Sequence, residues 1–375
     1  MKPTPNRALM PDYLRLIALF GIVVVNVQFI AFSALAGGAL QQAQSAADAV
    51  TLFLVNGLAL SKTYGLFSFM FGVGLGFLVR STGRRDMPFG KVYRNRMIGL
   101  LVLGIAHGCL FFPGDILVIY AITGSILYLF RDWQVGRLVR VGAVLLILQA
   151  VVVSLLVFLP DEVPAEFLAF ERSALIDGGF WDAVLLRSIG FLFTLPVLLL
   201  VQGISALGWF CLGLAAVKSG MIDATDHPLW RRARRVCLVP GLVLSLTGAA
   251  IWQWYAPSIG EAVTMMVAPL ATLGYIGLVA AIARPPGPAM ARALKAGGSS
   301  LSIYLGQSII LTTIFSGYGF GLWEEVNRLT ATLIAIGVTI ALIVALSVWR
   351  LWFRQGPFEL LLRRITYAGV AAKAV

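Results

Sequence analysis

Two histidines occur in the 375-residue chain, and one of them, His107, sits inside the apolar run MIGLLVLGIAHGCLFF, where an isolated polar side chain is costly. A neutral imidazole offers one donor and one acceptor and moves a proton near neutral pH, which is what a general base needs. Asp115 opens a second apolar run just beyond, after the reversal Pro113-Gly114. A straight helix would hold the two residues about 12 Å apart. The turn is therefore what can fold the carboxylate back onto the ring and orient it. On the residues alone two plainer readings stay open: a histidine that bridges two helices, and an aspartate that caps one.

Other residues of the right type lie on both sides of this pair. Asp12 and Arg15 share a helix face, and Asn26, eleven residues past Arg15, falls on the same face about 16 Å deeper. These read as a cap, a cation anchored at the membrane edge and an interhelical amide, or, for Asn26, as a donor to a developing oxyanion. Arg80, Arg84, Arg85, Arg94 and Arg96 crowd one short loop, where guanidinium forks suit phosphate oxygens and where positive-inside signalling alone would also put them. Late in the chain Ser299, Ser300, Ser302, Tyr304 and Gln307 form a polar stripe expected to face the bundle interior, with Tyr304 and Gln307 as pocket residues and Gln307 as a second oxyanion donor. Glu359, in the closing segment FRQGPFELLLRR, and Asp12 join them as candidate pocket residues, against the plainer reading of that segment as an interfacial anchor. His227 is expected in a solvated basic loop, and Ser68, Gly72 and Gly76 read as a packing face. Cys109, Cys211 and Cys237 lack metal-ligand spacing and read as small buried hydrophobes, so no metal is expected.

The composition says what must position these groups. Hydrophobic residues are 59%, charged residues 12% and mean hydropathy is +0.90, against roughly 45–50% and about 25% in a soluble domain. The chain is therefore expected to be an all-α polytopic membrane bundle forming a single domain over 1–375. Its net charge of +12 points to loops at the cytoplasmic face of a bacterial inner membrane and not to nucleic acid. Ten apolar windows recur, near 14–34, 62–79, 97–112, 115–130, 139–159, 188–216, 236–255, 262–283, 299–316 and 329–349, the first an uncleaved helix rather than a signal peptide. With both termini inside, 25 of the 29 Lys and Arg residues fall on the inner side, leaving only Lys62, Arg172, Arg187 and Arg328 outside. The stretch 41–60 is too short to span and reads as re-entrant or interfacial. The acidic stretch 160–187 reads as an amphipathic helix on the outer surface or as a lid over an outward pocket.

Four segments, KTYGLFSFMFGVG, RMIGLLVLGIAHGCLFFPGDILVIYAITG, SLSIYLGQSII with its following GYGFGL, and FRQGPFELLLRR, together resemble the YeiB-like membrane proteins. That family, catalogued as a domain of unknown function, is grouped with transmembrane acyltransferases such as the bacterial O-acyltransferases and the lysosomal heparan glucosaminide N-acetyltransferase. The resemblance implies transfer of an acyl group from inward acyl-CoA or acetyl-CoA to an acceptor beyond the outer face: a small molecule, a glycan or a lipid-linked compound. It also implies that Asp12 and Arg15 match the start motif, Asn26 the amide ending the first helix, and His107 with Asp115 the YeiB-like pair. Leu16 stands where a glycine usually follows the arginine, and no histidine lies at or soon after Asn26, so His107 is the intramembrane imidazole. The bilayer is the expected partner, and a homodimer is compatible with the reading. The alternative is a transporter or flippase with His107 as proton relay; its usual sign, two related halves, has no counterpart here.

Overall fold

The computed structural model describes residues 9–36, 43–156 and 163–370, which are helical with no strand among them. Lys2, Arg7 and Lys373 of the charge pattern, Asp161 and Glu162 of the acidic stretch, and the last residues of the 139–159 window lie outside the described residues. In chain order the helices are α1 (Met10–Ile30), α2 (Ala46–Leu54), α3 (Lys62–Arg84), α4 (Phe89–Leu110), α5 (Ile116–Leu129), α6 (Val135–Leu156), α7 (Ala165–Arg172) and α8 (Phe180–Leu198). There follow α9 (Ile204–Lys218), α10 (Pro228–Trp254), α11 (Pro257–Ile282), α12 (Pro288–Gly297), α13 (Ser300–Phe315), α14 (Arg328–Trp352) and α15 (Pro357–Thr366).

Every one of the ten apolar windows coincides with a helix, but fewer are long and apolar enough to cross a membrane unaided. Among the described residues seven stretches are, and α12 with α13, bent by 79° at their junction, would make an eighth. The difference lies chiefly at α4 and α5. The first turns of α4 carry Lys91, Arg94 and Arg96, and α5 has 14 residues, about 21 Å of helix against a core of about 30 Å. Irregular backbone at such depth is tolerated where protein covers it, and the reversal between these two helices is covered. Pro196 does not end its helix. Residues 180–218 continue through it, with a π turn at Leu199–Gly203 taking up the interrupted ladder.

The basic segments assemble on one face. Lys218 Nζ donates to the carbonyls of Arg131 and Trp133 at 2.9 and 2.6 Å, Arg80 pairs with Asp223, Lys91 reaches the Gly369 carbonyl, and Arg350 the Lys295 carbonyl. On the far face Arg172 pairs with Glu324, Arg187 holds the Leu110 carbonyl, and the backbone N–H of Arg328 donates to Asp48. Two ends with separate polar networks are what alternating helices of the charge pattern require.

Between the faces, α3 and α9 touch backbone to backbone. A Cβ on Gly72 would lie 2.1 Å from the Phe210 carbonyl oxygen, and one on Gly213 would lie 2.1 Å from that of Phe69. Ser68, Gly72 and Gly76 thus form the expected packing face, Ser68 also bonding the Tyr120 hydroxyl at 2.9 Å. Replacing Gly72 with Val is expected to destabilise the protein by about 1–3 kcal/mol through overpacking, whereas Gly74→Ala, with nothing within 4 Å of its new Cβ, leaves thermal unfolding unchanged or slightly raised; melting curves in detergent check both.

Candidate functional site

His107 lies in the last turn of α4, and a five-residue reversal, Phe111 to Asp115, brings the chain back into α5. Asp115 is the N-cap of α5. Its Oδ1 accepts the Val118 N–H at 2.9 Å, which fixes the carboxylate and leaves Oδ2 for the imidazole. Nδ1 of His107 meets that oxygen at 2.6 Å, so the reversal does close the gap that a straight helix would leave. Both side chains are buried, His107 at 2% and Asp115 at 0% exposure. The close fit requires Gly104, where a Cβ would come 2.7 Å from Asp115 Oδ1.

With Nδ1 facing a carboxylate, the ring proton belongs on Nδ1 and the lone pair on Nε2. Nε2 is buried and has no hydrogen-bond partner among the described residues. Buried polar atoms are normally satisfied, and an imidazole whose base nitrogen is left open while the other is held has the arrangement of a general base. Aromatic rings form its collar: Tyr304 at 5.1 Å between centroids, then Phe111 and Phe112. The Tyr304 hydroxyl accepts the Ile116 N–H at 3.4 Å and lies beside Asp115, which places this sequence-predicted pocket residue directly at the pair. Tyr120 and Tyr64 are its electrostatic neighbours, and with Ser68 they continue a row of buried hydroxyls through the bundle, ending where Tyr64 donates to the Gln202 carbonyl.

The other expected site residues go elsewhere. Asn26 is half-buried on α1 and is not a partner of His107 or Asp115. Gln307 gives its amide N–H groups to the Leu19 carbonyl and Thr339 hydroxyl, so the structure leaves it no donor for an oxyanion. Asp12 and Arg15 pair at 2.9 Å at the start of α1. Glu359 accepts from the N–H groups of Leu301 and Ser302 and from the Ser302 hydroxyl, capping the first turn of α13. On the same face Arg96 lies within electrostatic range of both Arg15 and Glu359, while Arg84, Arg85 and Arg94 are exposed. Arg80 is occupied by Asp223 and the Val217 carbonyl. His227 caps α10, its Nδ1 accepting the Leu229 N–H.

Two features lie above the pair, the second within the stretch 160–187 that the sequence marks as an amphipathic helix or a lid. Arg187 of α8 donates to the Leu110 carbonyl, one turn from His107, and to the Ser316 hydroxyl at 2.7 Å. It thereby ties α8 to both the end of α4 and the loop after α13; its signal was a lone cation in an apolar run. The second is a strap, residues 165–177. Glu171, 3% exposed, accepts from the Ser33 hydroxyl and the N–H groups of Ala34 and Leu35, and the Leu175 carbonyl accepts the Gly317 N–H at 2.7 Å. The strap is pinned over the ends of α1 and α13 by a buried carboxylate, the contact that a covering segment makes.

Two outcomes follow. Asp115→Ala removes a cap and orphans His107, and is expected to cost about 1–3 kcal/mol by thermal unfolding. Asp115→Asn, an equally good cap, loses less. Burial raises the Glu171 carboxyl above its ordinary value despite the Ser33, Leu35 and Ala34 bonds. Its proton is held more tightly when the strap is docked, so docking is strongest below the free carboxylate range and weakens as pH rises through the raised value. Hydrogen-exchange protection at Ala34 and Leu35, corrected for intrinsic rates, should therefore fall in wild type as pH rises above the ordinary carboxylate range, and stay flat in Glu171→Gln.

Residues 216–369 match the family described as protein of unknown function (DUF418). The chain is similar to the "Uncharacterized protein YeiB" of Escherichia coli (strain K12), 28% identical over 95% of each chain. It is similar also to the "Uncharacterized protein YxaH" of Bacillus subtilis (strain 168), 27% identical over 95% of this chain and 93% of that one. No solved structure matches it.

Proposed function

The chain belongs to the YeiB-like family, and on that premise we propose that it is an integral-membrane acyltransferase, moving an acyl group, acetyl in the simplest case, from acyl-CoA at the basic face to an acceptor hydroxyl or amine at the far face. By the positive-inside rule the basic face is the cytoplasmic side of a bacterial inner membrane. The observation that carries the reading is the unpartnered Nε2 of a buried histidine whose other nitrogen is held by a carboxylate.

In the reaction the acceptor O–H or N–H attacks the thioester carbonyl carbon while His107 Nε2 takes its proton. The tetrahedral adduct then collapses with cleavage of the C–S bond, and the imidazolium returns the proton to the leaving thiolate. Asp115 holds the ring in the tautomer that exposes Nε2 and stabilises the imidazolium between the two steps. Phosphates of the donor suit the exposed Arg84, Arg85 and Arg94, with Arg96 deeper. Arg96 and His107 are eleven residues apart, about 16 Å along α4, so one helix serves both ends of an extended donor. Since His107 is enclosed, the aromatic collar must part to admit the thioester.

Acetyl-CoA is expected to raise the melting temperature of the solubilised protein, and the triple variant Arg84→Gln, Arg85→Gln, Arg94→Gln to shift half-saturation upward. His107→Ala should fold and bind acetyl-CoA yet lose transfer of labelled acetyl groups by about 10²–10⁴-fold; full transfer by that variant rules the mechanism out.

A further inference from the structure

Lys62, the first residue of α3, is 0% exposed, and its Nζ makes one hydrogen bond, 2.8 Å to the Asn56 carbonyl oxygen. An ammonium carries three donors, and no carboxylate among the described residues pairs with this one. Its place makes that worse. The first turn of a helix presents unpaired N–H groups and the positive end of the helix dipole, and Ser61, at the N-cap of α3, makes no capping bond through its side chain. An amine that is cationic once protonated therefore sits where an anion belongs, desolvated and opposed by the dipole at once.

The backbone leading to it is irregular twice, in a π turn at Val55–Ala59 and in the left-handed Ser61, φ 62°. Neither is loose: Ser245 of α10 donates to the Gly57 carbonyl and Thr272 of α11 to the Lys62 carbonyl. Irregular backbone that packing holds in place at membrane depth is associated with buried sites. Asn56 Oδ1, on the residue whose carbonyl Lys62 holds, is itself buried and has no partner. One group thus has spare donors beside another with a spare acceptor.

We infer that this is a binding site for a phosphate-class oxyanion that still bears a proton. Its ionised oxygens take Lys62 Nζ and the N–H groups of Thr63 and Tyr64, the Lys62 N–H being held by the Leu60 carbonyl, and its P–OH donates to Asn56 Oδ1. A group with acceptors alone, such as sulfate, would leave Asn56 unsatisfied. The site lies on the far face between α3, α10 and α11, and it stands independently of the acyl-transfer reading.

The test uses the full chain, delipidated in detergent, with thermal unfolding followed in inorganic phosphate, sulfate and chloride at constant ionic strength, and in nanodiscs with or without phosphatidate in phosphatidylcholine. Wild type is expected to show a saturable rise in Tm with phosphate, a smaller one with sulfate and none with chloride. A rise confined to phosphatidate nanodiscs assigns the same site to a lipid headgroup. Lys62→Met should abolish the rise, and Asn56→Leu should weaken half-saturation by about tenfold. Asn56→Asp, which supplies the missing negative charge from within, should melt higher than wild type without ligand and no longer respond, and it carries the test if Lys62→Met does not fold. A wild type indifferent to phosphate and phosphatidate alike, or a Lys62→Met or Asn56→Asp protein that keeps the wild-type response, overturns the inference.

Discussion

An ionisable pair inside an apolar bundle must be satisfied from within, because no water is at hand to do it. The hydrogen bond between His107 Nδ1 and Asp115 Oδ2 is the contact on which the far half of this molecule is built. It demands a short reversal between α4 and α5, a carboxylate locked by capping its own helix, and glycine at 104 to let the two helices approach. It also demands cover. Arg187 closes the end of α4 by holding the Leu110 carbonyl, and the strap pinned by Glu171 closes the ends of α1 and α13. What these contacts leave open is one nitrogen lone pair.

The near half answers to a different constraint. There the charged groups are at an aqueous edge, and they are spent on joining loops: Lys218 across two carbonyls, Arg80 on Asp223, Glu359 on the start of α13. Arg84 and Arg85 at the end of α3 and Arg94 in the first turns of α4 are exposed and not spent in this way, and α4 leads to the buried imidazole at its other end. The proposed transfer across the membrane would use this polarity, a cationic mouth and a proton acceptor about 16–20 Å apart along α4.

Much of this was legible before any coordinates. The pair could be read because it is local: a lone imidazole, a Pro-Gly reversal and a capping aspartate lie within nine residues, and a turn that short has few ways to run. The basic face could be read because charge sidedness survives errors in helix ends. Gln307 and Lys62 show where such reading stops. Gln307 looked available as a donor until Leu19 and Thr339, on two other helices, took both of its N–H groups. Lys62 counted as a surface charge, since nothing in KTYGLF says that a π turn and two further helices will enclose it. At α4 and α5 length and composition alone do not mark a crossing, because α4 carries cations in its first turns and α5 has only 14 residues. Local chemistry and one-dimensional charge patterns are written in sequence; enclosure is a property of the assembled bundle.

The most direct measurement is a density map of the full-length protein with a non-hydrolysable acetyl-CoA analogue. It should show the phosphates among Arg84, Arg85 and Arg94 and the carbonyl carbon of the acyl group within about 4 Å of His107 Nε2, the distance of a near-attack arrangement. An analogue bound with its acyl end remote from that nitrogen, the collar of Tyr304, Phe111 and Phe112 still closed around it, would contradict the account.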